Sequence, residues 1–381
     1  MMHEIDFYEL SEIINLNSHS GNKQGIDDNA EIFKAWMLPL GFQCQTYHRE
    51  TIGNHLLFSS VKVPGPKVLL LGHLDTVFPE GTFEGFQQDE EWIYGPGVCD
   101  MKGGNFIALN ALRHVKNELG KVFNIDMLLV SDEETGSDDS KHLSASLAAN
   151  YDYCFVFEAA GKNHEVVIGR KGVATFTINL TGKAAHAGNH YQSGINANLA
   201  AAHMIIALTE LTDLSQKTTV NVGKISGGIG ANTISPTATL VVEARFANND
   251  EKMRLLESIA HIIDTPKVAG ITVNISGGVQ RDVMAPSKGQ STLVKQISKV
   301  VGYPILTEFR GGGSDANIMS AAGLITLDGF GPYGDGDHTS AERAEKASFV
   351  RRIDEMSKIL LYFCQQALAK KKKQISSLNC G

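Results

Sequence analysis

Lys67-Val68-Leu69-Leu70-Leu71-Gly72-His73-Leu74-Asp75 decides the fold class. Its uninterrupted apolar run reads as a strand buried on both faces, and it delivers a histidine and an aspartate at its end. The same grammar returns twice. Residues 125–130, apolar but for Asp126, run into Ser131-Asp132-Glu133-Glu134, and residues 153–157 run into Glu158. A helical pattern over 106–119 separates the first two, so the alternation predicts a mostly parallel sheet with helices on both faces. Carboxylates and imidazoles gathered at such strand ends are how an open α/β sheet holds a ligand or metal at one edge.

Outward from that core, residues 5–16 and 27–40 have helical spacing, and 42–47 with 55–58 read as the first strands. After Arg170 the texture changes, because Thr175-Phe176-Thr177-Ile178-Asn179-Leu180 alternates polar and apolar as a half-exposed strand does. A helix at 196–211, strands at 219–225 and 238–246, a helix at 250–263 and a strand at 271–275 complete a β-α-β-β-α-β unit. Gly277-Gly278 and Pro286 then mark the return to the first domain. Helices near 290–301 and 341–369 finish its cover. The expected domains are 1–170 and 284–381, together catalytic, with 171–283 inserted.

The 381 residues, 43% hydrophobic and 20% charged, suit two globular domains. A net charge of −8 without a basic stripe excludes nucleic acid as an expected partner. The run Lys370 to Lys373 reads as a solvated helix end favoured by the helix dipole. No window approaches a membrane span. The acidic start (Glu4, Asp6, Glu9, Glu12) is not a secretory signal, so a cytoplasmic location is expected. The five cysteines, Cys44, Cys99, Cys154, Cys364 and Cys380, form no CxxC pair and fit reduced thiols.

Five motifs carry chemistry: Gly72-His73-Leu74-Asp75, Gly97-Val98-Cys99-Asp100-Met101-Lys102-Gly103-Gly104, Ser131-Asp132-Glu133-Glu134, Phe157-Glu158 and Gly336-Asp337-His338. Two divalent cations about 3.5–4 Å apart need a bridging carboxylate, further His and carboxylate ligands on each ion, and a hydroxide between them. His73 and Asp75 have the spacing at which a carboxylate accepts the second ring N–H. Adjacent glutamates at a strand end cannot both face one metal, so one ligates while its neighbour faces the reacting water; Glu134 and Glu133 suit those roles. His142, His203 and His261 sit in helical patterns and read as solvent-facing, and Cys99 as a small residue beside a metal loop.

In these motifs, with Gly182-Lys183-Ala184-Ala185-His186-Ala187-Gly188 and Gly311-Gly312-Gly313-Ser314-Asp315-Ala316, the chain resembles the di-zinc metallopeptidases that include glutamate carboxypeptidase (carboxypeptidase G type), aminoacylase, acetylornithine deacetylase and succinyl-diaminopimelate desuccinylase. The resemblance spans nearly the whole chain and is strongest to glutamate carboxypeptidase. It implies a zinc exopeptidase-like α/β domain with an inserted α+β ferredoxin-like lid, the lid also forming a homodimer interface. It implies two zinc ions per chain, with manganese or cobalt as substitutes: one held by His73 and Glu158, the other by Glu134 and His338, with Asp100 bridging. Glu133 would be the general base, Asp75 the partner of His73, and His186 the residue that reaches the opposite subunit's site and stabilises the oxyanion. Asn232 and Gly312 match substrate-contacting positions.

Arg281 lies where glutamate carboxypeptidases grip the substrate carboxylate, and it equally suits a surface arginine at a domain junction; Arg245 reads more readily as structural. The Gly311–Gly313 loop suits either an anion-binding array of N–H groups or a tight turn. Tyr191 stands where relatives often have proline. The expected activity is a zinc-dependent carboxypeptidase that releases C-terminal glutamate or a related acidic residue from short peptides or N-acyl amino acids. The alternatives are an N-acyl amino acid deacylase and, in another class, a non-catalytic metal-binding dimeric protein.

Overall fold

The computed structural model describes residues 6–378. Two compact units are distinguished, the first comprising Met1–Gly169, Pro286–Phe309 and Ser314–Gly381, the second Arg170–Ala285 and Arg310–Gly313. The short stretch 310–313 therefore groups with the inserted unit although it lies far along the chain from it.

In the first unit, strands β1 (Gln43–Tyr47), β2 (His55–Ser59), β3 (Val68–His73), β4 (Ile125–Val130), β5 (Tyr153–Val156) and β10 (Ile325–Leu327) form one sheet in the order β1-β2-β4-β3-β5-β10. The four central and distal strands β4, β3, β5 and β10 are parallel; β1 and β2 form an antiparallel hairpin at one edge. Val68–Leu71 and Ile125–Val130 are buried, which is why these strands read as apolar runs broken only by Asp126, whose carboxylate accepts from the Ser60 N–H (2.9 Å) and the Tyr151 hydroxyl (2.7 Å). Helices α1 (Tyr8–Ile14), α2 (Lys23–Met37), α3 (Lys102–Leu119), α4 (Ser140–Ala148), α7 (Lys288–Val301), α8 (Asp315–Ala321) and α9 (Lys346–Leu378) cover it. α3 packs on α1 and α9, and α4 packs on α8.

Register sets the functional edge. His73 pairs with Val130 across β3 and β4, and Leu71 pairs with Val156 across β3 and β5. The residues that follow all three strands therefore leave the sheet at the same end. A second, four-stranded sheet joins Gly334–Asp335, Arg343–Glu345, Trp92–Tyr94 and Gln87–Gln88 in that order. Helical periodicity had placed 343–345 in the last helix; they form a strand instead, three residues long and too short to leave a pattern. Gly103 and Gly104 open α3 where a Cβ would lie 2.1 Å from the Val98 carbonyl oxygen and 1.9 Å from that of Phe157. Close backbone approach, not flexibility, is what that pair of glycines provides.

The second unit is an antiparallel sheet of β6 (Gly172–Thr181), β7 (Thr219–Gly227), β8 (Thr237–Phe246) and β9 (Thr272–Arg281), in the order β7-β8-β6-β9, with helices α5 (Ala197–Thr209) and α6 (Asn249–Asp264). This is the ferredoxin-like order expected of β-α-β-β-α-β. One expectation is corrected. β9 does not end before Gly277-Gly278 but passes through them to Arg281, bulging between Val279 and Arg281. Gly277 has φ +96° and a Cβ there would sit 2.2 Å from the Thr175 carbonyl oxygen, so the glycine permits a strand to continue where it had been read as a boundary.

Among the described residues no helix is long and apolar enough to cross a membrane. Cys44, Cys99, Cys154 and Cys364 are free; Cys380 and residue 5, where the first expected helix began, lie outside the described residues.

The first unit also buries an ion network. Arg352, fully buried, donates from Nη1 to Glu355 (2.5 Å) and from Nη2 to the carbonyls of His164 (2.9 Å) and Gly329 (3.0 Å), while Glu355 also accepts from Tyr303 (2.6 Å) and Arg351 (2.9 Å). Arg352→Met removes the donors of two carbonyls and one of Glu355's partners. It is expected to destabilise the first unit by about 3 kcal/mol in urea unfolding; a shift below about 0.5 kcal/mol would show the network to be dispensable.

Candidate metal centre

His73, the last residue of β3, is 1% exposed. Its Nδ1 lies 2.9 Å from the backbone oxygen of Asp75 and 3.5 Å from that residue's carboxylate; its Nε2 faces Asp100 Oδ1 at 3.1 Å and Glu158 Oε1 at 3.7 Å. The ring is thus oriented chiefly by the Asp75 carbonyl, not by the carboxylate that the HxD spacing suggested. The Asp75 carboxylate is engaged elsewhere. It accepts the Glu133 and Glu134 backbone N–H groups at 3.2 Å each, and the Ser20 hydroxyl at 2.7 Å.

That engagement corrects the reading of the paired glutamates. β4 ends at Val130, and Glu133–Thr135 form a 3-10 turn rather than a continued strand. The first N–H groups of this turn are pinned by Asp75. Asp132 supports it from behind, its carboxylate accepting the N–H groups of Asp139 and Ser140 at the start of α4.

Asp100 precedes α3, and its two oxygens are divided between two imidazoles. Oδ1 meets His73 Nε2 at 3.1 Å and Oδ2 meets His338 Nε2 at 3.2 Å. His338 Nε2 also lies 3.2 Å from Glu134 Oε2. One ligand atom from each of His73, Asp100 and Glu134 falls within 4.8 Å of the others. His338 adopts φ +63°, a left-handed conformation uncommon for a residue with a side chain and one that recurs at functional sites. The paired strands Trp92–Tyr94 and Arg343–Glu345 bring the Asp100 and His338 loops together.

The electrostatics suit cations. Burial and the charge of Asp100 push the carboxyls of Glu158 and Glu134 above their usual range, well above in the case of Glu158. Burial opposes a charge on His73, yet hydrogen bonds to Asp100 and Asp75 hold its pKa well above the usual imidazole value. Hydrogen bonds to Asp100 and Glu134 lift His338 to about 11. Burial opposes ionisation of Asp100, but the same two histidines hold it below the usual range. Nitrogen and oxygen donors at this separation, with one carboxylate shared between two imidazoles, fit a two-ion site.

Three supporting residues were not singled out from the sequence. Ser20 holds Asp75; Lys102, 1% exposed, donates from Nζ to the carbonyls of Ile13 (2.7 Å) and Leu16 (2.8 Å). Glu342, fully buried, accepts the backbone N–H groups of Cys99 (2.9 Å), Asp100 (3.0 Å) and Gly97 (3.0 Å). Burial lowers the Lys102 pKa to about 7 and raises that of Glu342 to about 8, the three N–H groups opposing the latter shift. Lys102 stood inside a quoted motif, and Glu342 follows His338 by four residues; an isolated buried charge near a motif was the only available signal.

The remaining candidates lie in the second unit. His186 is exposed, and its Nδ1 accepts the N–H groups of Gly188 (3.2 Å) and Asn189 (3.1 Å), which leaves the proton on Nε2. His186 pairs with Thr233 in an antiparallel bridge, and beside it the Ala187 N–H donates to the Asn232 carbonyl at 2.9 Å. Tyr191 sits in a 3-10 turn, Tyr191–Ser193, and the loop folds back through the His190 N–H on the His186 carbonyl. Around Gly311–Gly313, Arg170 donates to the Gly312 carbonyl (3.0 Å) and Arg245 to that of Gly311 (3.1 Å). A Cβ on Gly313 would lie 3.2 Å from Arg281 Cδ. None of the three glycines has a left-handed φ, so a tight turn is not their reason.

The chain is 28% identical over 366 residues to carboxypeptidase G2 of Pseudomonas sp. strain RS-16, covering 92% of this chain and 88% of that protein. A tripeptidase from Staphylococcus aureus shares the fold, with a TM-score of 0.80 at 22% identity over 95% of this chain and 100% of that one. The Bacillus subtilis YXEP protein, described as a dinuclear metal-binding peptidase of family M20, superposes with a TM-score of 0.68 at 12% identity over 95% of this chain and 100% of that one. Residues 69–362 match Peptidase family M20/M25/M40, a span that holds every residue of the metal cluster. The chain belongs to this family and is a hydrolase of peptide or amide bonds.

Proposed function

We propose that the protein is a zinc-dependent carboxypeptidase that releases C-terminal glutamate or a related acidic residue from short peptides or N-acyl amino acids. The observation that carries the hydrolytic reading is the division of the Asp100 carboxylate between His73 and His338. His73 and Glu158 would hold one ion, Glu134 and His338 the other, and Asp100 both. Such ions, zinc or in substitution manganese or cobalt, supply Lewis acidity and a water acidified toward neutral pH.

The chain's own residues do the rest. Glu133, 7% exposed at the start of its pinned turn, takes the proton of the attacking water and returns it to the leaving nitrogen. Asp75 holds the turn that carries Glu133 and Glu134 by its N–H groups. His186 of the partner subunit, with the proton on Nε2, donates to the carbonyl oxygen as it becomes an oxyanion. The homodimer this requires is supported by apolar side chains at the surface of the second unit: Leu199 and Ile206, seven residues apart on α5, are 46% and 60% exposed, and Ile225 on edge strand β7 is 60% exposed. Free thiols suit a reducing compartment such as the cytoplasm.

The acidic preference is supported by the arginines around Gly311–Gly313. The guanidinium groups of Arg170, Arg245 and Arg281 all lie at that loop and make it a cationic place. Arg281, half-buried beside Gly313, is the guanidinium assigned to the substrate carboxylate, with Asn232 and Gly312 as further contacts.

Glu133→Gln is expected to keep its metal while kcat falls at least about a hundredfold; Glu134→Gln is expected to lose metal. Metal analysis and steady-state kinetics of the two variants check this, and the reverse pattern would exchange base and ligand. Arg281→Gln should raise KM at least about tenfold for dipeptides ending in glutamate and much less for the same peptides amidated at the C-terminus. Equal effects on both would reject the clamp.

A further inference from the structure

Glu342 belongs to no motif quoted for catalysis, yet it is a fully buried carboxylate whose two oxygens serve one loop. Oε1 accepts from Cys99 and Asp100, and Oε2 accepts from Gly97. Its own backbone is equally fixed, the N–H donating to the Thr339 carbonyl at 3.1 Å while the Thr339 N–H donates to Gly336 at 2.9 Å. Those turns carry His338. Immediately after Glu342, Arg343 pairs with Tyr94, the strand residue three positions before Gly97.

We propose that Glu342 is a positioning residue that fixes the bridging carboxylate relative to both ion positions. Its side chain grips the backbone from which Asp100 projects, and its main chain closes the turn that directly follows the Gly336–Thr339 turn carrying His338. A displacement of either segment therefore has to break hydrogen bonds of a buried group. Residues that support ligands in this way govern how tightly a metal is held more than whether the chain folds. The inference rests on Asp100 and His338 being ligands.

The test is zinc affinity, read by competition with a chromogenic chelator, for the wild type, Glu342→Gln and Asp100→Asn. In Glu342→Gln one amide oxygen remains to accept, while the NH2 group faces at least one backbone N–H it cannot satisfy. Zinc affinity is expected to fall about tenfold to a hundredfold, with the melting temperature of the chelator-stripped protein within about 2 °C of wild type. An affinity within about twofold of wild type overturns the positioning role, and so does a weakened affinity accompanied by a loss of more than about 5 °C in the stripped protein, which marks a merely structural residue. Should the Gln chain fail to fold, Glu342→Asp, charged but one methylene short, carries the same comparison with the same criteria. Wild-type zinc affinity and stoichiometry in Asp100→Asn would instead reject the ligand set itself.

Discussion

Everything at the sheet edge depends on one carboxylate facing two imidazoles. Asp100 can address both His73 and His338 only if its loop is held between the end of β3 and the turn before Arg343. Taking so many charged groups out of water is costly unless they find partners. Burial and the charge of Asp100 raise the carboxyls of Glu158 and Glu134, while hydrogen bonds to carboxylates raise the two histidines against burial. Divalent cations would answer the same demand.

Three backbone devices hold the donors. Parallel register brings the ends of β3, β4 and β5 level, the small second sheet joins the Asp100 and His338 segments, and carboxylates grip turns by their N–H groups. The last device recurs. Asp75 holds the Glu133-Glu134 turn, Asp132 the start of α4, and Glu342 the Asp100 loop. Acidic residues thus have two occupations here, and only some of them face the metal position. Unpaired N–H groups at a turn are a natural seat for a carboxylate, which also removes that carboxylate from competition for the ions.

The strands beneath the site were legible because burial on both faces leaves nearly all-apolar runs such as Val68–Leu71; Ile125–Val130 carries one charge, Asp126, whose carboxylate accepts from Ser60 and Tyr151. The candidate ligands stood out because most of their motifs follow such a run or a glycine-flanked turn. Other features were hidden for physical reasons. Arg343–Glu345 is too short for periodicity, β9 runs through Gly277 because a neighbouring backbone passes too close there for any side chain, and the Glu133 turn replaces strand alternation. The HxD spacing suggested a carboxylate on the His73 ring, whereas the carbonyl of Asp75 lies nearer. Spacing along a chain cannot distinguish a side-chain acceptor from the backbone acceptor of the same residue. Glu342 and Ser20 act through contacts far away in sequence, and no local pattern announces them.

X-ray absorption fine structure of the zinc-loaded protein tests the central claim most directly. If Asp100 bridges two ions, the spectrum will contain a zinc–zinc vector at about 3.5 Å that disappears in Asp100→Asn. A wild-type spectrum with zinc bound in nitrogen and oxygen coordination but no metal–metal vector would contradict the account, because each imidazole would then belong to a separate site and the shared carboxylate would have no bridging role.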